Sequence, residues 1–512
     1  MGSAATTFLA ASLPQAVLAQ DEAVAEAITA LGADGDFTRA SVVDLARRLA
    51  ASEYAPPPTE LPDPIKDLTY DQYRDIRINR ETRPWADDNL PFQLELFHRG
   101  FYYKEEIEVA VIRDETAEHL PYSPDLFDIG RLVPQPIPNE DIGFAGIRLL
   151  GHLNSRDHFD EVAVFLGASY FRSLGRDQVY GISGRGLALK TGSSEGEEFP
   201  LFRAFWVEKP LPDSEAVVVH ALLDSESVAG AYRFTIRPGK ATQMDVEATL
   251  FPRAELSKVG LAPGTSMFFF GPNDARDVDD WRPQVHDSDG LLIVNGRGER
   301  IWRPLANPDT LQISAFIDAA PRGFGLMQRN RDPERYQDFE AHYERRPSLW
   351  VEPVGDWGQG AVVLVEIPSD SEINDNIVAY WQPRQPIAAG SEYSFAYRLS
   401  WGGEPDLPGP AAVITATRVG RASLRGDSPV RRFVIDFELR ETSEGVASKP
   451  EASVSANAGK VSEATMQSNP LTRGWRLAFE LDPQDAEAIE LRADFTFEGE
   501  VAAEHWLYRW TA

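Results

Sequence analysis

A two-residue repeat of apolar side chains runs through most of this chain and limits what it can fold into. From about residue 88, short stretches alternate apolar and polar residues, as in Phe92-Gln93-Leu94-Glu95-Leu96. Further strand-like runs, some alternating and some continuously apolar, cover residues 106–112, 217–222, 232–236, 244–250, 311–317 and 361–367. Gly, Pro, Asn and Asp separate these runs, and helical patterns are few. The sequence therefore predicts an all-β fold of antiparallel sheets, most simply a large two-sheet β-sandwich.

The patterns divide the chain into five segments. Residues 1–20 are small and apolar, which is typical of the remnant of a secretory signal, although a disordered alanine-rich N-terminus is an alternative. Residues 21–60 have helical spacing and predict a helical N-terminal arm, and residues 61–401 hold the large β-sandwich. Residues 402–410 are rich in Gly and Pro and predict a linker. Residues 411–512 have the length and strand count of a small immunoglobulin-like β-sandwich.

Composition narrows the classes of function. The 512 residues carry a formal net charge of −30, which repels phosphate backbones, so we expect no nucleic-acid partner. The chain contains 0 cysteines, which excludes disulfides, thiolate zinc sites and a cysteine nucleophile. No H-E-x-x-H or calcium-loop pattern is present, and we expect neither a metal nor an organic cofactor. After the N-terminus, no stretch reaches the ~20 apolar residues of a membrane span.

Two acid-rich turns in the middle of the chain carry the strongest chemical signal. The first contains Asp287 and Asp289, and the second contains Glu372 and Asp375; each adjoins a strand-like run. Hydrolysis of a glycosidic bond needs one carboxyl group that protonates the leaving oxygen and one that activates water. Strand ends can bring two such groups to one cleft. The plainer interpretation is that Asp-Ser-Asp-Gly and Asn-Asp-Asn are ordinary turn sequences.

Aromatic and basic residues accompany both turns. Trp350, Trp357 and Trp381, like Trp281 nearby, could offer flat apolar faces to sugar rings. For any single Trp, packing in the core of a sandwich is the more common role. Arg346 belongs to one of several arginine clusters and could bind sugar hydroxyls or keep an aspartate ionised. Structural ion pairing is the alternative for these arginines.

Ordered blocks of sequence across residues 60–512 resemble one known family. They include Phe268-Phe269-Phe270-Gly271-Pro272-Asn273, His286-Asp287-Ser288-Asp289-Gly290, Tyr343-Glu344-Arg345-Arg346-Pro347 and Asp375-Asn376-Ile377-Val378-Ala379-Tyr380-Trp381. On these residues the chain is similar to the periplasmic glucan biosynthesis family, OpgG (also MdoG) and its paralogue OpgD, and Asp289 favours the OpgD form. The resemblance implies a galactose-mutarotase-like β-sandwich followed by an immunoglobulin-like domain, and a periplasmic location.

The resemblance also implies an activity. It implies an inverting endo-β-1,2-glucanase in which Asp375 is the general acid and Asp287 the general base, although the two roles could be exchanged. Tyr343 and Glu372 would lie in the pocket or on the proton path. The alternatives are a β-1,2-glucan transglycosylase and a non-catalytic glucan-binding or assembly factor. The implied partners are β-1,2-glucan and, for an assembly factor, a membrane glucan synthase; we also expect a homodimer.

Overall fold

The computed structural model describes residues 15–137, 139–275, 278–410, 412–423, 428–439, 449–498 and 500–512. Its α-helices in these ranges are α1 (Gln15–Thr29), α2 (Arg39–Ala50) and α3 (Tyr70–Arg74), and its 3-10 helices are Pro124–Leu126, Pro333–Arg335 and Tyr343–Arg345. Val42, Leu45 and Leu49 recur on one side of α2 and are buried, because that side packs against the outer face of the large sheet at Trp206. None of the described helices is long and apolar enough to cross a membrane.

Strands make up most of the remaining chain. Up to residue 266 they are β1 (Ile76–Ile78), β2 (Phe92–Phe97), β3 (Glu108–Arg113), β4 (Thr116–His119), β5 (Phe127–Ile129), β6 (Gly146–Gly151), β7 (Asp160–Leu166), β8 (Tyr170–Ser173), β9 (Ser183–Arg185), β10 (Ala188–Leu189), β11 (Leu201–Glu208), β12 (Val217–Asp224), β13 (Val228–Arg237), β14 (Thr242–Pro252) and β15 (Val259–Ser266). Up to residue 402 they are β16 (Phe268–Phe270), β17 (Val285–His286), β18 (Gly290–Val294), β19 (Arg300–Pro304), β20 (Gln312–Ala319), β21 (Gly323–Met327), β22 (Ser348–Val354), β23 (Gln359–Glu366), β24 (Ile377–Pro383) and β25 (Tyr393–Gly402). The last ones are β26 (Ala412–Arg421), β27 (Arg431–Leu439), β28 (Glu451–Ala456), β29 (Lys460–Val461), β30 (Thr465–Asn469), β31 (Gly474–Asp482), β32 (Ala488–Phe497), β33 (Glu500–Val501) and β34 (His505–Thr511).

Two large sheets form the main sandwich. A 10-stranded sheet has the order β2-β6-β7-β8-β9-β15-β24-β23-β20, with β10 attached to β15. A 15-stranded sheet has the order β28-β32-β34-β19-β18-β21-β22-β25-β14-β13-β12-β11-β3-β4, with β33 attached to β32. Between the two sheets, Phe165 and Phe171 of the first pack against Phe234 of the second with ring centroids 5.1 and 5.2 Å apart. Burial of each such ring contributes roughly 1.5–3 kcal/mol to folding. These sheets confirm the predicted all-β sandwich.

The C-terminal strands form a second, smaller sandwich. One layer is a 5-stranded sheet of the order β26-β27-β31-β29, with β30 attached to β31. The other layer consists of β28, β32 and β34, and β34 runs parallel to β19 with Trp302 opposite Trp506. The second core includes Trp302 and Trp350 from the large sandwich as well as Phe433 and Trp506 from the C-terminal strands. The two sandwiches therefore share one sheet and one apolar cluster.

Candidate functional site

Asp287 directly follows the short strand β17. Its backbone N–H donates to the carbonyl of Met267 over 2.8 Å, and the hydroxyl of the next residue, Ser288, lies 2.8 Å from the hydroxyl of Ser266. Only 5% of the Asp287 side chain is exposed. The carboxylate accepts a hydrogen bond from the guanidinium of Arg346. Asp287 is thus a nearly buried acid that is held at a fixed position by its own backbone.

Asp375 lies in the connection between β23 and β24, next to a buried asparagine that fixes this loop. The Asn376 side chain accepts from the N–H of Phe268 over 2.9 Å and donates to the carbonyls of Phe268 at 3.0 Å and Ile367 at 3.1 Å. The Asp375 side chain is 27% exposed and lies 3.6 Å from the guanidinium of Arg172 on β8. Since Met267 binds the backbone of Asp287 and Phe268 binds Asn376, one dipeptide holds both acid-rich turns together.

The pKa of Asp287 is shifted strongly. Burial raises it to about 6, the neighbouring guanidinium of Arg346 lowers it, and the negative charge of Asp375 raises it. An isolated buried carboxylate is costly to ionise, and Arg346 compensates part of that cost. Asp287 can therefore exchange a proton near neutral pH, as a general acid or base must.

Asp375 experiences a similar environment on the more open side of the site. Burial raises its pKa, whereas the guanidinium groups of Arg172, Arg185 and Arg346 lower it. Arg172 also donates to the hydroxyl of Ser183 on β9 over 2.7 Å, which fixes the direction of its side chain. The two aspartates thus share Arg172 and Arg346 as electrostatic neighbours, and their own charges repel one another.

Tyr343 and Glu372 adjoin the same pair. The hydroxyl of Tyr343 donates to the carboxylate of Glu372 over 3.2 Å, and the guanidinium carbon of Arg346 lies 4.3 Å from the centre of the Tyr343 ring. Arg282 contacts Glu372 at 2.7 Å. Burial raises the pKa of Tyr343, while Arg346 lowers it and Glu372 raises it, so the hydroxyl stays protonated at neutral pH. The structure therefore brings Asp287, Arg346, Tyr343, Glu372 and Asp375 together.

A second layer of buried polar groups supports this cluster. The side chain of Gln328 donates to the carbonyls of His286 at 2.8 Å and Tyr343 at 3.0 Å, and thus ties the two segments together. Burial lowers the pKa of His286 to about 4, so its imidazole is neutral. Gly181 approaches Arg346 so closely that a Cβ there would lie 3.0 Å from the arginine side chain. A larger residue at this position would push Arg346 away from Asp287.

Asp289 does not line the site beside Asp287 and Asp375 but lies behind them. Its carboxylate accepts from the backbone N–H groups of Arg329 and Asn330, each over 3.2 Å. Burial raises the pKa of Asp289, and Arg329 lowers it. Asp289 also borders a cleft of about 440 Å³ between the two sandwiches. Its contacts are those of a residue that shapes the turn.

Three of the four candidate sugar platforms occupy apolar cores. Trp350 is 2% exposed and packs between the sandwiches, and Trp381 is 0% exposed in the main core. Trp357 is 7% exposed, and its indole N–H donates to the carbonyl of Ala396 over 3.1 Å. None of these indoles presents a free face to a ligand, because each lies on an inward-facing strand position or packs against one. The structure therefore places them apart from the carboxylate cluster.

The fourth candidate platform is exposed, and two further basic residues near the acids were not predicted from the sequence. Trp281 is 73% exposed and lies over Arg282, the residue that contacts Glu372, with 5.9 Å from the guanidinium carbon to the ring centre. Arg172 and Arg185 sit on β8 and β9, far from either acid-rich turn in the sequence. Sequence analysis did not find these two arginines, because nothing local in the sequence indicates that they would face Asp375.

In the part of the chain that the structure describes, no group of three or more His, Cys, Asp or Glu side chains could hold a metal ion. The side chains that meet at the site supply two carboxylates, the phenol of Tyr343 and the guanidinium groups of Arg172 and Arg346. The site thus combines two acids with raised pKa, whose turns are both bound to the Met267-Phe268 dipeptide, with guanidinium groups and a phenol.

Comparison with known proteins identifies the family. The family model described as "Periplasmic glucan biosynthesis protein, MdoG" matches residues 37–510. The chain belongs to this family, which is a periplasmic one, and the resemblance and location inferred from the sequence are confirmed.

Several relatives share more than half of the chain's residues. Proteins called "Glucans biosynthesis protein G" from Vibrio cholerae serotype O1 are 56% identical over 477 residues, covering 93% of this chain and 87% of the relative. The protein of that name from Shewanella sp. (strain ANA-3) is 57% identical over 477 residues, with the same coverage of 93% and 87%. The closer likeness to OpgD that Asp289 suggested stays a prediction.

A solved structure of a galactose mutarotase related enzyme from Lactobacillus acidophilus also matches. It is 9% identical, covers 51% of this chain and 96% of that protein, and has a TM-score of 0.22. A similarity this low supports no conclusion about function. The β-sandwich is established by the strands and the apolar core described above.

Proposed function

We propose that this protein cleaves β-1,2-linked glucan by general acid–base catalysis, with Asp375 as the acid and Asp287 as the base. The observation that supports this most is the pair of carboxyl groups with raised pKa, both fixed to the Met267-Phe268 dipeptide. The names of the relatives support a glucan as the ligand, and the β-1,2 linkage follows from the resemblance to the family.

The assigned roles follow from the surroundings of each carboxyl group. At pH 7, Asp287 with a pKa of about 6 is mostly ionised, because Arg346 stabilises its negative charge, and an ionised carboxylate can accept a proton. Asp375 is the more open of the two, and burial raises its pKa, which favours the protonated form that an acid needs. A bound glucan would displace water from Asp375 and raise its pKa further.

In the proposed reaction, Asp375 donates its proton to the glycosidic oxygen as the bond from that oxygen to the anomeric carbon breaks. Water attacks the anomeric carbon from the opposite face of the ring and gives up a proton to Asp287, which inverts the configuration. Because the Asp287 side chain is only 5% exposed, the proton would pass through a relay of side chains that ends at the surface with Glu372, which is 36% exposed. Tyr343 and its acceptor Glu372 are the groups we propose for this path.

The other side chains around the pair would bind the polymer. Trp281 is an exposed apolar surface on which a glucose ring can stack. Arg172 has 43% of its side chain exposed and could donate to sugar hydroxyls as well as to Asp375. Residues 61–401 would then be the catalytic and glucan-binding part of the chain, and residues 411–512 would stabilise it from one side.

The test is incubation of purified protein with linear β-1,2-glucan, followed by mass spectrometry of the products and NMR of the newly formed reducing ends. We expect shortened glucans with inverted configuration at the cleaved carbon. Asp287→Asn and Asp375→Asn should each lower the rate by about 10²–10⁴-fold. Asp370→Asn, which changes an exposed acid in the same loop as Asp375, is the matched control and should keep the rate.

Three results would contradict parts of this proposal. Cyclic or elongated products in place of shortened ones would indicate a transglycosylase. Intact glucan that nevertheless raises the melting temperature would indicate a binding or assembly factor, such as one that serves a membrane glucan synthase. Wild-type rates in both Asn variants would mean that other residues perform the catalysis.

A further inference from the structure

The cleft of about 440 Å³ between the two sandwiches has the size of a ligand site, since small-molecule sites measure roughly 300–1,000 Å³. We refer to it as the rear cleft. The large sandwich lines it with Gln284 and His286, among others, and the C-terminal strands line it with Leu471 and Thr472. None of the residues proposed above for catalysis or glucan binding lines it, so it is a separate site.

The alternation of side chains along one segment keeps the rear cleft apart from the proposed catalytic groups. Successive residues of a strand point to opposite faces. Gln284 and His286 line the cleft, whereas Val285 between them packs in an apolar cluster with Tyr343, which belongs to the carboxylate cluster. The rear cleft and the carboxylate cluster therefore lie on opposite sides of this segment.

Gln284 brings a buried amide without a partner to the rear cleft. The residue is 3% exposed, and no described residue accepts a hydrogen bond from its Nε2. A buried donor that has no acceptor destabilises the folded protein, and an apolar side chain of the same size would avoid that cost. Because the amide lines a cleft with room for a ligand, we attribute it to ligand binding.

The opposite wall presents a similar group. The hydroxyl of Thr472 is buried and has no hydrogen-bond partner within the described part of the chain. Its loop is well fixed, because the N–H of Thr472 donates to the carbonyl of Asn469 over 3.3 Å and the N–H of Leu471 donates to the Asn469 side chain over 3.0 Å. Each sandwich thus contributes one unpaired polar group to the cleft.

His286 adds an acceptor. Gln328 uses its amide nitrogen for the carbonyls of His286 and Tyr343, so its oxygen accepts from Nδ1 of the imidazole over 2.9 Å. Burial lowers the pKa of His286 to about 4, so the ring is neutral and its other nitrogen, Nε2, keeps a lone pair. The rear cleft therefore offers both hydrogen-bond donors and an acceptor.

Most charges around the rear cleft are compensated within the protein. Arg329 contacts Glu504 at 2.7 Å. Arg418 and Arg476 both contact Asp436, each at 2.6 Å. A charged ligand would compete with these ion pairs, whereas a neutral one would leave them intact. The charge distribution therefore favours a neutral polar ligand.

We propose that the rear cleft binds a neutral sugar unit between the two sandwiches, with hydrogen bonds to Gln284, His286 and Thr472. A hydroxyl group donates and accepts, so it suits a site that offers both kinds of partner. Pro283 and Leu471, which are exposed and line the cleft, provide apolar contacts for the C–H groups of the ring. That the sugar is glucose rests on the proposed function. A glucan held at a second place would bind more tightly than at the carboxylate cluster alone.

A fluorophore beside the cleft measures this binding. The chain contains 0 cysteines, so Arg473→Cys gives a single position for an environment-sensitive dye. Arg473 is exposed, follows Thr472 and does not line the cleft. The labelled protein also carries Asp375→Asn, so that cleavage does not interfere. Titration with the β-1,2-linked disaccharide of glucose should give a saturable change in fluorescence, and the absence of one would overturn the proposal.

Substitutions on both walls test the assigned contacts. Gln284→Leu should weaken binding of the disaccharide roughly two- to tenfold, as expected for one lost hydrogen bond, and Thr472→Val should have a similar effect. Gln467→Leu makes the same change at an exposed residue of β30 that does not line the cleft, and it should leave binding unchanged. Binding that either Gln284→Leu or Thr472→Val leaves unchanged would contradict a ligand held between the walls.

Thermal melting separates a role in binding from a role in folding. Because the Gln284 amide nitrogen has no partner among the described residues, Gln284→Leu should melt at the wild-type temperature or above it. A lower melting temperature together with weaker binding would mean that the amide supports the fold, which would overturn its assignment to a ligand.

An organic anion is the alternative ligand, because Arg331 also lines the cleft and donates to the carbonyls of Glu344 and Arg346. Tighter binding of acetate than of the disaccharide would overturn the assignment to a neutral sugar. The outcome is separable from that of the proposed function. Disaccharide binding in a protein that cleaves no glucan would leave the second site standing, and cleavage by a protein whose rear cleft binds no sugar would give the reverse.

Discussion

At the scale of single residues, the balance between burial and guanidinium charge sets the chemistry of the site. Burial raises the pKa of Asp287 to about 6, and the guanidinium of Arg346 opposes a larger rise. A general base has to be deprotonated, so activity should fall as the pH drops through about 6. The acid side of the pH profile therefore reports on this one carboxyl group.

Arg346→Met should move the acid limb of the pH–activity profile, where activity falls with decreasing pH, to higher pH. Removing the guanidinium takes away the main group that lowers the pKa of Asp287, so protonation of the carboxylate begins at higher pH and the rate at pH 7 falls. The measurement is kcat/KM against pH for glucan cleavage. Arg346→Lys keeps a positive charge and should shift the limb less. An unchanged limb in Arg346→Met would mean that Asp287 is not the base.

Trp281→Ala should weaken glucan binding more than it slows the chemical step. A sugar ring stacked on the exposed indole would contribute about 0.5–1.5 kcal/mol, which corresponds to roughly a two- to tenfold rise in KM. Trp281→Phe should retain most of the affinity. Tyr102→Ala, at another strongly exposed aromatic residue (79% exposed), serves as the control. A KM that Trp281→Ala leaves unchanged would remove Trp281 from the binding surface.

At the scale of elements, two turns far apart in the chain converge because both are attached to the segment between β15 and β16. Met267 accepts the backbone N–H of Asp287, and Phe268 exchanges hydrogen bonds with the side chain of Asn376. Asn376 is 2% exposed, so these bonds are made away from water and fix the loop closely. Asn376 is therefore a positioning residue for Asp375.

Asn376→Ala should lower both stability and turnover. It leaves buried backbone groups of Phe268 and Ile367 without the side-chain amide, at a cost of about 1–3 kcal/mol for each group left unpaired. Denaturant unfolding measures the loss of stability, and steady-state kinetics should show a fall in kcat with a smaller change in KM. Asn374→Ala, at an exposed position of the same loop, should alter neither. Unchanged kcat in folded Asn376→Ala would contradict the positioning role.

At the scale of the whole molecule, the C-terminal sandwich is joined to the large one by buried charges as well as by a shared sheet. Glu504 is 0% exposed and contacts Arg329 at 2.7 Å and Arg300 at 2.9 Å. Both arginines also contact Glu404. Burial alone would raise the pKa of Glu504, but Arg329 and then Arg300 outweigh it, so the pKa is lowered overall.

Glu504→Gln should destabilise the protein strongly. It leaves two buried guanidinium groups short of negative charge, and breaking one side of a buried ion pair costs about 3–5 kcal/mol. We expect a lower free energy of unfolding at pH 7 with a single transition, because the two sandwiches share a sheet and a core. Glu500→Gln, at an exposed position on β33, should change little.

The pH dependence gives a second measure of the same interaction. A carboxyl group with a lowered pKa in the folded state stabilises the protein above its ordinary pKa and loses that contribution as the pH falls through the folded value. The wild type should therefore lose more stability in acid than Glu504→Gln does. Equal losses in both proteins would contradict the predicted contribution of this carboxylate.

Alternation of apolar and polar residues was sufficient to predict the all-β class, because it is a local consequence of side chains pointing to opposite faces of a strand. The acid-rich turns could also be found in the sequence, since turn residues and the strands beside them are neighbours in the chain. The same local signals cannot tell which tryptophan faces inward: Trp350, Trp357 and Trp381 are buried, whereas Trp281 is exposed.

The sequence by itself determined the fold class, the family and the two turns that carry the acids. Only the tertiary structure decided that both turns bind one dipeptide and that Arg172 and Arg346 lower the pKa of the carboxyl groups beside them. The physical reason is that strand periodicity is fixed within a few residues. Which strands pair, and which side chains then meet, depends on contacts between residues hundreds of positions apart.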